Sequence, residues 1–148
     1  MIRPVTPHDI PALLTMLHAL VAEDKGTIAS TAETLTQAAF GARPLIHGLI
    51  HPDGMVIYFP DYSTHRGEPG LYIQDLYVTP ASRGSGLARA LVAATLHHQT
   101  WGANYITFGV SPANTVATRF YQKTGFTFRG YAMMILDGTA LDLLKALT

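Results

Sequence analysis

The chain has 148 residues, 10 basic and 10 acidic side chains, no cysteine, and a hydrophobic fraction of 48% against 14% charged. That length and apolar content suit one domain, over 1–148, with a real core, and they argue against disorder. Balanced charge offers no basic excess for nucleic acid, and the missing cysteine excludes disulfides, thiolate catalysis and cysteine-type zinc sites.

No long apolar run follows Arg3, and no run reaches the roughly 18 residues of a membrane span, so a cytoplasmic protein with no signal peptide and no membrane partner is expected. Residues 2–5 read as a short edge strand whose pairing Pro4 limits. Thr6-Pro7-His8-Asp9 reads as a helix start: Thr6 caps, Pro7 suits the first helical position, and Asp9 favours the positive end. Ile10, Leu13, Leu14, Leu17, Leu20 and Val21 recur at helical spacing, and Glu23-Asp24-Lys25-Gly26 ends that helix. Ser30-Thr31-Ala32-Glu33 is a second capping-box pattern, opening a short helix to about Phe40 that Gly41 stops.

Four strands are expected, over 45–50, 55–59, 71–78 and 104–110. Pro52-Asp53-Gly54 makes a hairpin turn between the first two, and 60–70 reads as a polar loop. A helix from Gly86 to about Thr100 lies between the last two strands, with Leu87, Ala90, Leu91 and Ala94 on its apolar face. The strand–helix–strand unit over 71–110 predicts a right-handed crossover between parallel strands, and the rest reads as antiparallel meander. After Ser111-Pro112-Ala113-Asn114 comes a helix to Lys123, stopped by Thr124-Gly125; 126–136 reads as a long strand and 140–147 as a short terminal helix. Trp101 is expected to close a helix end against the core, and Met133-Met134 to pack in the core or at an interface. Seven His residues show no metal-ligand spacing.

Two constellations carry chemistry. Arg83-Gly84-Ser85-Gly86-Leu87-Ala88 lies between a strand and a helix. Two glycines there let the backbone approach a ligand closely, and the helix start offers unpaired amides and the positive end of the dipole, which suits a phosphate or pyrophosphate. The spacing is neither the dinucleotide fingerprint nor the P-loop. Downstream, Asn114, Ala117 and Tyr121 share one helix face. Asn114 either caps or reaches a ligand, Ala117 is small enough for a ligand to lie against, and Tyr121 carries a hydroxyl able to donate a proton.

Together these two segments resemble the GNAT superfamily of acyl-CoA N-acyltransferases, and the resemblance runs along nearly the whole chain. Residues 83–88 match its Gln/Arg-x-x-Gly-x-Gly/Ala acyl-CoA signature, and Asn114 to Phe126 match the second, with Tyr121 followed by Gly125-Phe126. The resemblance implies an α/β fold: a mixed, mostly antiparallel twisted sheet with flanking helices and a splayed central strand pair. It implies acetyl-CoA as acyl donor, with the amides of Gly84, Ser85, Gly86, Leu87, Ala88 and Arg89 holding the pyrophosphate. Leu76, Tyr77 and Val78 would pair through backbone groups with the pantetheine arm. The amide of Val78 or its neighbour would polarise the thioester carbonyl, and Asn114 would bond the pantetheine or its phosphate end. Tyr121 would protonate the departing thiolate, with no covalent enzyme intermediate.

Within that superfamily, Tyr72-Ile73-Gln74-Asp75-Leu76-Tyr77-Val78 is similar to the strand of diamine (polyamine) N-acetyltransferases, as are residues 58–64 and 43–47. That strand usually reads Leu-Glu-Asp-Leu-Phe/Tyr-Val, and here Gln74 replaces the Glu. A Gln can hydrogen-bond an ammonium but adds no charge and cannot be a base. Asp75 remains, and Glu23-Asp24 matches the acidic end of the subfamily's first helix. The resemblance implies a cationic small-molecule amine as acceptor, with Asp75, Gln74, Glu23 and Asp24 as its contacts, and a homodimer. An amino acid, an aminoglycoside-like compound or a peptide amine is the rival acceptor, and a non-catalytic acyl-CoA sensor the rival class. In a regular strand Gln74 and Asp75 point to opposite faces, unless a bulge intervenes.

Overall fold

In the computed structural model, which describes residues 1–147, Asp9 organises the start of the chain. Its carboxylate accepts from both terminal Arg3 guanidinium nitrogens at 2.7 Å and from the Thr6 amide and hydroxyl at 2.8 Å. The Arg3 bonds foremost, then those from Thr6, hold the Asp9 carboxyl well below the ordinary carboxylate range. They tie strand β1 (Arg3–Pro4) to a single 3-10 turn (Pro7–Asp9) and helix α1 (Ile10–Glu23). Helix α2 (Ala32–Phe40) opens with a reciprocal cap: the Thr34 amide donates to Thr31 Oγ1 at 3.1 Å and the Thr31 amide to Thr34 Oγ1 at 2.8 Å. The cap is Thr31, one residue later than the Ser30…Glu33 pattern has it, so Thr34 takes the place expected for Glu33.

Strands β2 (His47–His51), β3 (Gly54–Ser63), β4 (Glu68–Val78) and β5 (Ile106–Thr107) complete a five-stranded sheet in the order β1-β2-β3-β4-β5. Neighbours from β1 to β4 are antiparallel. The β4–β5 pair is parallel, and helix α3 (Leu87–His98) lies between them in the chain, as the strand–helix–strand reading requires. This is the expected mixed, mostly antiparallel sheet with flanking helices. On one face Leu13, Leu17 and Leu35 of α1 and α2 bury Ile50, Met55, Ile57 and Tyr77. On the other, α3 packs on β3 and β4 and buries Leu91, Val92 and Thr95. Each fully buried Leu or Ile contributes roughly 1.5–3 kcal/mol relative to an exposed one.

The chain divides into two units. Met1–Ser111 holds the sheet and α1 to α3, and Pro112–Thr148 holds α4 (Thr115–Thr124) and α5 (Gly138–Lys145). None of the helices among the described residues is long and apolar enough to cross a membrane.

Three elements differ from the sequence reading. The stretch 60–70 is not a loop: β3 runs on to Ser63 and β4 starts at Glu68, leaving a tight turn at 64–67. Its turn-forming residues are overridden by cross-strand pairing from Pro60↔Leu71 to Ser63↔Glu68. The strand expected over 104–110 shrinks to Ile106–Thr107. No strand is assigned over 126–136, against the expectation. Met133 and Met134 are 77% and 97% exposed, so they are not core residues.

Candidate functional site

The first site element is a bulge. Ile57 of β3 faces Asp75 while Tyr58 faces Ile73, so Gln74 is an extra residue in β4. An inserted residue breaks the alternation of side chains. Gln74 and Asp75 therefore do not fall on opposite faces, and both line the same cavity, of about 440 Å³. Its other walls include Leu17 and Val21 of α1, Ile28 and Ser30 of the α1–α2 connection, and Leu35. Burial among these apolar side chains pushes the Asp75 carboxyl above its usual range. Ser30 and Ile28 are site residues that sequence reasoning missed, since a polar connection between two helices carries no mark of what it covers.

The second element is the outer edge of β4. Among the described residues, its ladder with β5 consists of Leu71↔Ile106 and Tyr72↔Thr107. The attachments crowd at this end. The Leu71 amide donates to Tyr105 O at 2.9 Å, the Asn104 amide to Pro69 O at 2.9 Å, and Trp101 Nε1 to Gly70 O at 2.8 Å. Asn104 Nδ2 donates to Glu68, the Tyr105 hydroxyl donates to Asp61, and the Tyr105 ring lies where a side chain on residue 70 would stand. Three residues past the end of α3, the Trp101 ring packs tilted against those of His47 and buried Tyr58.

At the other end of β4, the Thr79 amide donates to Asp53 O at 2.8 Å. In an antiparallel pair, residues that bond the partner alternate with residues that point away. Tyr77 therefore faces β3, and Leu76 and Val78 direct their N–H and C=O groups outward. Val78 O indeed accepts from Arg83 Nε at 3.0 Å. The splayed strand pair is thus a sheet fastened at one end and left open at the other.

The third element is the glycine turn. Gly84 and Gly86 have φ of 80° and 89°, values that side-chain-bearing residues rarely adopt, and a Cβ at either would meet no protein atom within 4 Å. Gly86 caps α3, so the amides of Ala88 and Arg89 have no intrahelical acceptor. The Ser85 hydroxyl turns back to donate to Ser82 O at 2.6 Å. Arg83, at the head of the signature, ion-pairs with Glu23 at the end of α1 and lies 5.9 Å from the centre of the Tyr77 ring. Glu23 is thereby engaged with Arg83 rather than facing the cavity, and neither it nor exposed Asp24 lines it.

In the second unit, Asn114 caps α4: its Oδ1 accepts from the Ala117 amide at 3.1 Å. Tyr121 packs edge-on against Phe120 and Phe126, with ring centres 5.1 and 5.5 Å away. Burial pushes its hydroxyl up to about 12, so it keeps its proton across the neutral range. Gly125, at φ 113°, ends the helix, as expected.

Residues 9–126 match the sequence profile of the Acetyltransferase (GNAT) family. The chain is 35% identical over 94 residues to the thialysine N-epsilon-acetyltransferase of Caenorhabditis elegans, covering 59% of this chain and 57% of that protein. It is 31% identical over 85 residues to an aminoglycoside N(6')-acetyltransferase type 1 of Salmonella typhimurium, covering 50% and 57%. The chain thus spans less than two thirds of the length of these relatives. An integron cassette protein of V. cholerae shares the fold, with a TM-score of 0.78 at 19% identity over 98% of this chain and 96% of that one.

Proposed function

The chain belongs to the Acetyltransferase (GNAT) family, and on that premise we propose that it transfers the acetyl group of acetyl-CoA directly to a primary amine of a small molecule. The observation that carries this reading is the open end of β4 ending at the glycine turn. Outward amides at Leu76 and Val78 suit an added strand, and the pantetheine arm is the ligand of that shape. The amides of residues 84–89, clear of side chains, suit its pyrophosphate. Asn114 and Ala117 take their family roles toward the same cofactor.

The chain's own groups divide the work. The amide of Val78 or its neighbour donates to the thioester carbonyl oxygen as negative charge grows there. The amine nitrogen bonds the carbonyl carbon and the carbon–sulfur bond breaks. The amine's proton passes to a water held by Asp75 or a backbone carbonyl, and Tyr121 gives its proton to the leaving thiolate. Asp75 and Gln74 receive the amine. The diamine or polyamine acceptor that the strand resemblance implies draws on paired carboxylates; here Gln74 stands in for one of them, which weakens selection for a second ammonium and favours an amino acid or peptide amine, with an aminoglycoside-like compound, itself polycationic, as the rival. A single N-acetyltransferase domain over 1–148, cytoplasmic and homodimeric, is part of the same proposal. The test is thiol release from acetyl-CoA across diamines, polyamines, amino acids, aminoglycosides and lysine peptides. Amine-dependent release is expected; tight binding without release for any amine would make the protein a sensor instead.

A further inference from the structure

The cavity beside the bulge has an uneven chemistry. Among the described residues, Asp75 is the sole ionisable side chain lining it, and apolar groups such as Leu17, Val21 and Ile57 form most of its wall. Of the polar groups, the Thr34 hydroxyl is committed to the α2 cap, donating to Thr31 O at 3.1 Å while accepting from the Thr31 amide at 2.8 Å. That leaves the Gln74 amide and the Ser30 hydroxyl to meet a ligand. Glu23 is ion-paired with Arg83, and neither it nor Asp24 lines the cavity. The volume, about 440 Å³, lies within the range of roughly 300–1,000 Å³ usual for small-molecule sites.

We infer that this cavity selects a primary amine with a single cationic centre carried on an uncharged, largely apolar body. Asp75 takes the one ammonium, Gln74 and Ser30 serve a neutral polar group beside it, and the aliphatic wall covers the body. A second ammonium would meet no second carboxylate among the described residues of the wall, so whatever water it gave up there would go uncompensated. Burial also pushes the Asp75 carboxyl up, a penalty that pairing with an ammonium offsets.

This inference rests on the acetyltransferase reading for its chemistry but not for its binding preference, and the test separates the two. Hexylamine and 1,6-diaminohexane share a six-carbon chain and differ by one ammonium. Each is titrated against the protein by calorimetry, and each is offered as acceptor with acetyl-CoA while thiol release is followed. Hexylamine is expected to bind at least about tenfold more tightly, and Gln74→Glu to narrow or reverse that ratio. Equal or tighter binding of the diamine by the unaltered protein, or binding of neither, overturns the inference. Thiol release with a diamine preference would sustain the acetyltransferase and refute the single-cation cavity. A monoamine preference without thiol release would sustain the cavity and refute the acetyltransferase.

Discussion

The two ends of β4 are built on opposite plans. From Pro69 to Tyr72 the strand is fastened by three hydrogen bonds from residues 101–105, two of them backbone to backbone, and by the Tyr105 ring lying against Gly70. From Ile73 to Val78 the β5 ladder is gone, a bulge turns Gln74 and Asp75 into one cavity, and the backbone of Leu76 and Val78 points outward. The lesson is that the open end depends on the closed one. A parallel neighbour whose described ladder stops at Tyr72 leaves the next residues of the strand's edge for a ligand.

The largest expected effect comes from closing the open end. Gly86→Glu should abolish acetyl-CoA binding, while Gly86→Ala, which shares the backbone strain without the charge, should lose stability by about 1 kcal/mol and retain measurable binding. Calorimetric titration of both variants reads this directly; equal affinity for acetyl-CoA in both would remove the pyrophosphate from that turn.

Next is the bulge. Asp75→Asn should lower turnover by roughly a hundred- to ten-thousand-fold while holding or raising the melting temperature at neutral pH. Burial raises the folded-state carboxyl pKa, so the cost of its charge is complete above that value and absent below the ordinary one. The variant's stability advantage should therefore fade as pH falls through that window. A destabilised variant at pH 7 would show that Asp75 holds the fold rather than the substrate.

Smaller effects are expected at the fastened end. A methyl at Gly70 would stand 2.4 Å from the Tyr105 ring, so Gly70→Ala should cost about 1–3 kcal/mol in chemical denaturation and raise the KM for acetyl-CoA. Trp101→Phe removes the donor to Gly70 O and should cost about 1 kcal/mol. If neither moves stability, the splay is not anchored there.

The glycine turn was legible because its chemistry is local: Gly84 and Gly86 lie in the left-handed region that only glycine enters freely. The stop at Gly125, φ 113°, was legible for the same reason, while Gly41 ends α2 in extended backbone where a Cβ would stand 2.4 Å from Gln37 O. The bulge was half legible, since two adjacent polar residues between Ile73 and Leu76 break a period of two without saying which one is extra. The fastening of β5 was not, because Tyr105, Asn104 and Trp101 act on partners more than thirty residues away. The same limit applies to 60–70, where cross-strand pairing decided against local propensity.

The most direct test of the account is amide hydrogen exchange along β4, resolved by residue, with and without coenzyme A. The outward amides of Leu76 and Val78 should exchange fast in the free protein and become protected by coenzyme A, together with those of residues 84–89. The Leu71 amide, already bonded to Tyr105 O, should be slow in both states. Protection at Leu76 and Val78 before any ligand is added, or none after it, would contradict the open edge on which the proposed function stands.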